Sequence, residues 1–394
     1  MTSVYFDPAW LVNVNPLDWQ CLTRNLLTAS DDPVRADPQL RLNRIHCNTV
    51  VDLHDSLRLV PLAQADAILL PICHKVAYYG AGSAESFARA CREAEHLSRR
   101  TGLPVVVQGA SADLSDLVGE MRLPLSNFLY FNAAIIDTGP AERLHSHVYF
   151  VQDYLQKYFD GRVDPIETTG SPTVSFWGVC APFAQRWSTT RVADYARYAL
   201  SHLDSIGLAS ERIVRRFGTN MKHAHRARVV SSIRACSKIQ FDLRLQPVGG
   251  LVDGRFWLET DQSEYRRGFY NSIHRSLYSV CCRGTENYSI RFYETLCLGR
   301  IPVVVDTDIR LPLEEVIDYE KHCLIIPKPK AGRAAQLILE HYQRLSSEQL
   351  RQQQLANRRL WQTHLSPASF YGQLQPLLRR FRRPPHDVGT SESG

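Results

Sequence analysis

The sequence predicts an α/β protein organised as two domains. Three observations carry that expectation. Short apolar runs alternate with longer stretches of helical periodicity, the order that layers helices on a mainly parallel sheet. The chain has 394 residues, beyond the roughly 250–300 that one hydrophobic core usually serves. Its composition, 44% hydrophobic and 22% charged, is globular and excludes fibrous, collagenous and globally disordered classes.

In the first half, Ala67 to Ile72 reads as a short buried strand. A helix is expected from about Ala84 to Arg100, capped by Ser83, with Phe87, Cys91, Ala94 and Leu97 on its buried stripe. Gly102 ends it, Leu103 to Val107 is the next strand, and Phe128 to Ile136 reads the same way. Strand, helix, strand is the repeat of a parallel sheet with helical crossovers.

Turn and linker chemistry between Asp160 and Pro172 marks a break, giving a first domain over residues 1–165 and a second over 170–365. Thr173 to Gly178 opens the second domain as a strand. Basic helical material over Lys222 to Arg234, a strand near Lys238 to Leu243, and a helix from Ser263 to Leu277 follow. Phe269, Ile273 and Leu277 would bury one face of that helix. Residues 366–394 form a closing helix, capped by Ser366 with Pro367 at its first position, and a basic, Gly/Ser-rich tail.

The net charge of +6 suits a protein that handles acidic or phosphorylated molecules, without compelling it. Ten cysteines lie scattered, with no CxxC pair and no zinc spacing, and read as reduced, buried thiols. The start shows no leader pattern, and no apolar run approaches the roughly 20 residues of a membrane span. These features predict a cytoplasmic location. The run Arg379, Arg380, Phe381, Arg382, Arg383 adds an expected peripheral contact with the inner membrane.

The segment from Tyr278 to Asp306 concentrates the chemistry. It reads as strand (Ser279 to Cys282), polar loop (Arg283 to Asn287), helix to about Leu298, left-handed Gly299, and buried strand (Ile301 to Val305). Open α/β sheets gather ligands beyond the carboxyl ends of strands, beside helix N-termini whose free amides favour anions. Arg283 is placed to pair with phosphate oxygens, and Gly284 to let a ligand approach the backbone. Asn287 or Ser289 caps the helix. Glu294 offers a carboxylate to the hydroxyls of a ribose, with Arg291 one turn before it to orient it.

The order Arg283, Gly284, Asn287, Ser289, Arg291, Glu294, Leu296, Gly299, Ile301, Pro302, Val303 resembles the signature of the exostosin-like glycosyltransferases, family 47. The likeness continues through Leu311 to Tyr319 and, more weakly, covers Ser171 to Gly178 and Ala65 to Pro71. The resemblance implies a GT-B architecture: two Rossmann-like domains with parallel sheets facing across a cleft, the donor on the second. It implies an inverting, metal-independent transfer from a nucleotide-sugar to a glycan or lipid-linked acceptor, with no cofactor and no nucleic acid partner. Arg283 would face the diphosphate and Glu294 the ribose, while Asn287 and Ser289 shape the loop. Arg226 and Arg228 would add positive charge against the leaving group.

Inversion needs a general base. Gln108 to Asp113 does not match the Gly-Arg-Asp-His stretch that many eukaryotic members carry, so His74 and Asp55 stand as the candidates. The Gly80-Ala81-Gly82 turn lacks the third glycine of a dinucleotide fingerprint, and the His145 and His147 pair lacks acidic or cysteine partners for a metal. Of the aromatics Phe256, Trp257, Tyr265, Phe269 and Tyr270, most are assigned to core packing. Two other readings compete: a GT-B transferase of another, fucosyltransferase-like family, and a catalytically inactive binder of nucleotide-sugars or glycans.

Overall fold

The computed structural model describes residues 1–12, 14, 21–26, 51, 53, 55–72, 81–109, 125–132, 143–167, 170–180, 225–246, 262–284 and 287–384. It divides into two compact units. The first takes in Met1–Gln152, Arg310–Pro312 and Ser366–Gly394; the second takes in Asp153–Ile309 and Leu313–Leu365.

The first unit is built on a parallel sheet of β1 (Thr2–Tyr5), β2 (Leu57–Leu59), β3 (Ala67–Leu69), β4 (Val105–Gln108), β5 (Phe128–Asn132) and β6 (Leu144–Ser146), in the order β2-β1-β3-β4-β5-β6. β3 and β4 are buried along their whole length, as strands covered on both faces must be. Helix α1 (Cys21–Leu26) is followed by α2 (Ala81–Thr101), which connects β3 to β4. Phe87, Cys91 and Ala94 bury the expected stripe of α2, while Leu97 stays half-buried. The helix begins before Ser83, so that residue is not its cap. Gly102 follows α2 in the left-handed region, at φ +70.

The second unit carries a second parallel sheet: β7 (Thr173–Val179), β8 (Gln240–Gln246), β9 (Tyr278–Val280), β10 (Ile301–Asp306) and β11 (Leu324–Pro327), in the order β11-β10-β9-β7-β8. Around it lie α3 (Tyr154–Tyr158), a helical segment over 225–234, α4 (Gln262–His274), α5 (Ile290–Cys297), α6 (Ala334–Arg344) and α7 (Ser347–Leu360). Helix α4 stops short of Leu277. That residue is still buried, but it packs as the lead-in to β9, which is why an apolar period alone overruns the helix. The core of this unit gathers Val174, Phe176, Val230, Tyr278, Val303 and Ile338 among others.

The strand order contains a reversal. From β7 the chain steps to β8 on one side, then returns to lay β9 against the other side of β7. The two strands that part company, β7 and β9, pair in parallel, so their carboxyl ends emerge side by side. Such a topological switch point is where open α/β sheets form ligand crevices.

The last helices, α8 (Pro367–Gly372) and α9 (Leu374–Arg380), belong to the first unit. Ser366 caps α8 by accepting the Ser369 N–H, with Pro367 at the first helical position. Each unit is thus a parallel α/β layer.

Candidate functional site

Two arginines meet at the switch point of the second unit. Arg226, on the helical segment 225–234, donates from Nη1 to the Val179 carbonyl at the end of β7 (2.8 Å). From Nη2 it donates to the carbonyls of Cys282 (3.2 Å) and Arg283 (2.7 Å), just past β9. Arg291, in the first turn of α5, donates from Nη1 to the Val280 carbonyl (3.1 Å) and from Nη2 to the Trp177 carbonyl. Both guanidiniums therefore bridge the carboxyl ends of β7 and β9. Phe176 lies under both, 4.8 Å from Arg291 and 5.7 Å from Arg226.

Among the described residues neither guanidinium has a carboxylate partner. Burial, and then the like charge of Arg291, hold the Arg226 pKa below its ordinary value. Arg283 adds to the same repulsion. Carbonyl dipoles accept from the terminal nitrogens, the Nε atoms of both arginines have no partner among the described residues, and a half-buried charge held this way is an attractor for an anion. The thiols beside it are not nucleophiles. Burial pushes Cys180, Cys281 and Cys282 up to about 12, so they stay protonated at neutral pH.

Glu294 lies one turn further along α5 and is 8% exposed. It takes its hydrogen bond from Tyr270 on α4, whose hydroxyl donates to Oε1 at 2.9 Å. No ion pair joins Glu294 to Arg291, because the arginine's two terminal nitrogens are used on the strand ends. The expected orienting contact is therefore replaced by a tyrosine. Burial raises the Glu294 pKa, against the opposing pull of Arg291, the Tyr270 bond and Arg266. Tyr270 is itself stacked on Tyr154 (4.0 Å between ring centroids) and Tyr158 (5.3 Å) of α3. The sequence leaves Tyr270 among five aromatics mostly assigned to packing, and Phe176 as a strand residue without a role. Neither is announced by spacing, since each meets its partner only through the fold.

The other expected residues separate by role. Asn287 is fully buried, and its amide is used inside the protein: Nδ2 donates to the Thr307 carbonyl (3.1 Å) and Oδ1 accepts the Thr307 hydroxyl (2.6 Å). It pins the loop to the end of β10. Ser289 is the N-cap of α5 with extended backbone, but its hydroxyl makes no capping bond. Arg283 and Gly284 are half-buried. A side chain at 284 would meet the Arg226 Nη2 at 3.4 Å, an ordinary contact, so no close neighbour among the described residues demands glycine there. Arg228 leads away from the pair to the Pro329 carbonyl (3.3 Å), past β11. Asp55 is exposed in a turn before β2, in the first unit, and His74 lies outside the described residues. His145 packs on Phe131 and Phe381. Burial lowers the His147 pKa to about 4. Among the described residues, no group of three or more His, Cys, Asp or Glu is placed to hold a metal ion.

The family model described as the Exostosin GT47 domain matches residues 224–340, a stretch that holds Arg226, Arg283, Arg291 and Glu294. Plant proteins are among the curated relatives. A probable glucuronoxylan glucuronosyltransferase, IRX7 of Arabidopsis thaliana, is 32% identical over 89 residues, covering 23% of this chain and 19% of the relative. A probable glucuronosyltransferase of Oryza sativa subsp. japonica is 35% identical over 77 residues, 19% of this chain and 18% of the relative. The matches thus span about a fifth of the length of these relatives. Among solved structures, the Anabaena protein HepE in complex with UDP and glucose aligns over 96% of this chain and 99% of its own, at 11% identity and a TM-score of 0.37. A glycosyltransferase from Rickettsia africae ESF-5 covers 96% and 98%, at 8% identity and the same TM-score. The exostosin domain contains β8 to β11, while β7, which supplies the Trp177 and Val179 carbonyls, lies outside it.

Proposed function

We propose that the protein is a glycosyltransferase that binds a nucleoside diphosphate sugar at the carboxyl ends of β7 and β9. The observation that carries this reading is the half-buried Arg226 and Arg291 pair, bridging both strand ends with no carboxylate partner among the described residues. A diphosphate leaving group gains negative charge as the glycosidic bond breaks. Fixed guanidiniums already in place stabilise that charge without reorganisation. Half-buried Arg283 extends the positive surface from the loop. Glu294, steadied on one oxygen by Tyr270, offers its second oxygen to a ribose hydroxyl.

The transfer is read as inverting and metal-independent, the two arginines standing in for a divalent cation at the diphosphate. The acceptor is a hydroxyl of a glycan or lipid-linked glycan, deprotonated by a general base for which Asp55 and His74 are the candidates. The names of the plant relatives make a glucuronosyl donor the first to try.

Thermal-shift titration with UDP-, GDP- and CMP-sugars tests the donor site. A ligand at about 100 times its Kd adds about 2.7 kcal/mol of stability, a shift of several degrees. Arg283→Ala and Glu294→Ala are expected to abolish that shift while far-UV circular dichroism stays native. If both variants bind the donor as the parent does, the assigned site is wrong. Slow donor hydrolysis without acceptor separates a transferase from an inactive binder.

A further inference from the structure

The first unit brings together two basic segments that lie far apart in the chain. Helix α2 ends on exposed Arg99 and Arg100, and the chain beyond α8 carries exposed Arg379, Arg380, Arg382 and Arg383. The Arg383 N–H donates to the Gly102 carbonyl at 2.9 Å, and Asn127 Nδ2 donates to the Phe381 carbonyl at 3.0 Å. Gly102 makes the contact possible: it sits at φ +70, and a Cβ there would collide with the Arg383 carbonyl. Arg99 is paired with Glu95 at 2.7 Å. Arg100, Arg379, Arg380, Arg382 and Arg383, all exposed around one backbone junction, form no ion pair among the described residues.

We propose that this junction is a docking face for an anionic lipid bilayer. A cluster of this size matches the polybasic segments drawn to phosphate-bearing membrane surfaces. The chemistry of the face favours a bilayer over nucleic acid. Proteins that hold single strands stack bases on aromatic rings, and the one aromatic in the run, Phe381, packs edge-on to His145 at 6.3 Å. What remains is a field of guanidiniums on a rigid support, flanked by exposed Pro376 and Pro384 and suited to a plane of phosphates. The inference stands apart from the donor site, which lies in the other unit.

The test is co-sedimentation of the full chain with phosphatidylcholine vesicles, with and without about 30% phosphatidylglycerol, at about 50 and 500 mM NaCl. Binding is expected only to the anionic vesicles, and is lost at the higher salt. Arg100→Glu and Arg382→Glu, from the two segments, should each weaken it by about fivefold or more. Lys238→Glu, an exposed position in the second unit with the same charge change, should leave it intact. Equal binding to neutral vesicles, or no binding at low salt, overturns the proposal. So does an Arg100→Glu variant that binds like the parent, or an oligothymidylate that binds more tightly than the vesicles. All three positions are exposed, and melting curves would check that the variants fold.

Discussion

Glu294 shows how one side chain records the demands of a site. Its carboxyl is buried against α4, and among the described residues it has a single hydrogen bond, from Tyr270, and no ion pair. Burial raises its pKa above the ordinary 4.5. The native state therefore keeps a proton at pH values where the unfolded chain has lost it. The stabilisation is complete below about 4.5 and is lost as pH rises through the raised native value. Glu294→Gln removes that slope. The variant's melting temperature should gain on the parent's as pH rises from 4.5 towards neutrality, and the donor-induced shift should disappear. A parent and variant with parallel pH profiles would show that the carboxyl is not strained. The residue could be picked out from its place in the motif, but its buried state could not. Arg291 three positions earlier suggests a surface ion pair, and only the folded chain shows the arginine turned to Trp177 and Val280 instead.

Between elements, the contact that matters is the one α4 makes with α5. Tyr270 joins them through Glu294, and the stack on Tyr154 and Tyr158 of α3 keeps its ring from swinging away. Hydrogen bonds to charged groups contribute about 1.5–3 kcal/mol. Tyr270→Phe, which keeps the stack and removes the donor, should therefore weaken donor binding roughly tenfold or more. Calorimetric titration would show this, with the secondary structure unchanged. The elements themselves were largely readable. Helix α5 followed by Gly299 at φ +67 and then β10 is the expected helix, left-handed residue and buried strand. The stacking of α3 on α4 was not readable, because Tyr154 and Tyr270 belong to segments whose periodicities say nothing of each other. Boundaries also moved where an apolar residue served the sheet instead of the helix, as Leu277 does.

At the scale of the molecule, the first unit is completed by the far end of the chain. Phe370, Tyr371, Leu374 and Leu378 of α8 and α9 are each 5% exposed or less. Phe150 stacks on Tyr371 at 5.6 Å, and Phe131 meets Phe370 at 6.5 Å. Each such side chain contributes roughly 1.5–3 kcal/mol when buried. Four of them approach the whole 5–15 kcal/mol that holds a typical domain. A chain ending at residue 365 is expected to lose the cooperative unfolding of the first unit and to aggregate through the exposed core. Calorimetry and limited proteolysis would reveal this, and a truncated chain with both transitions intact would refute it.

By itself the sequence determined the α/β class and the helix–turn–strand order of residues 287–306. These depend on local periodicity, turn residues and residue order, all of which are written along the chain. The tertiary structure alone decided that β9 returns to the far side of β7, and so that Arg226 and Arg291 meet at one switch point. It also decided that Tyr270 serves Glu294, and that Gly102 receives Arg383. The reason is common to all three. Each is a pairing between groups distant in sequence, chosen by how buried surfaces and backbone hydrogen bonds can be satisfied together, and no local pattern encodes that choice.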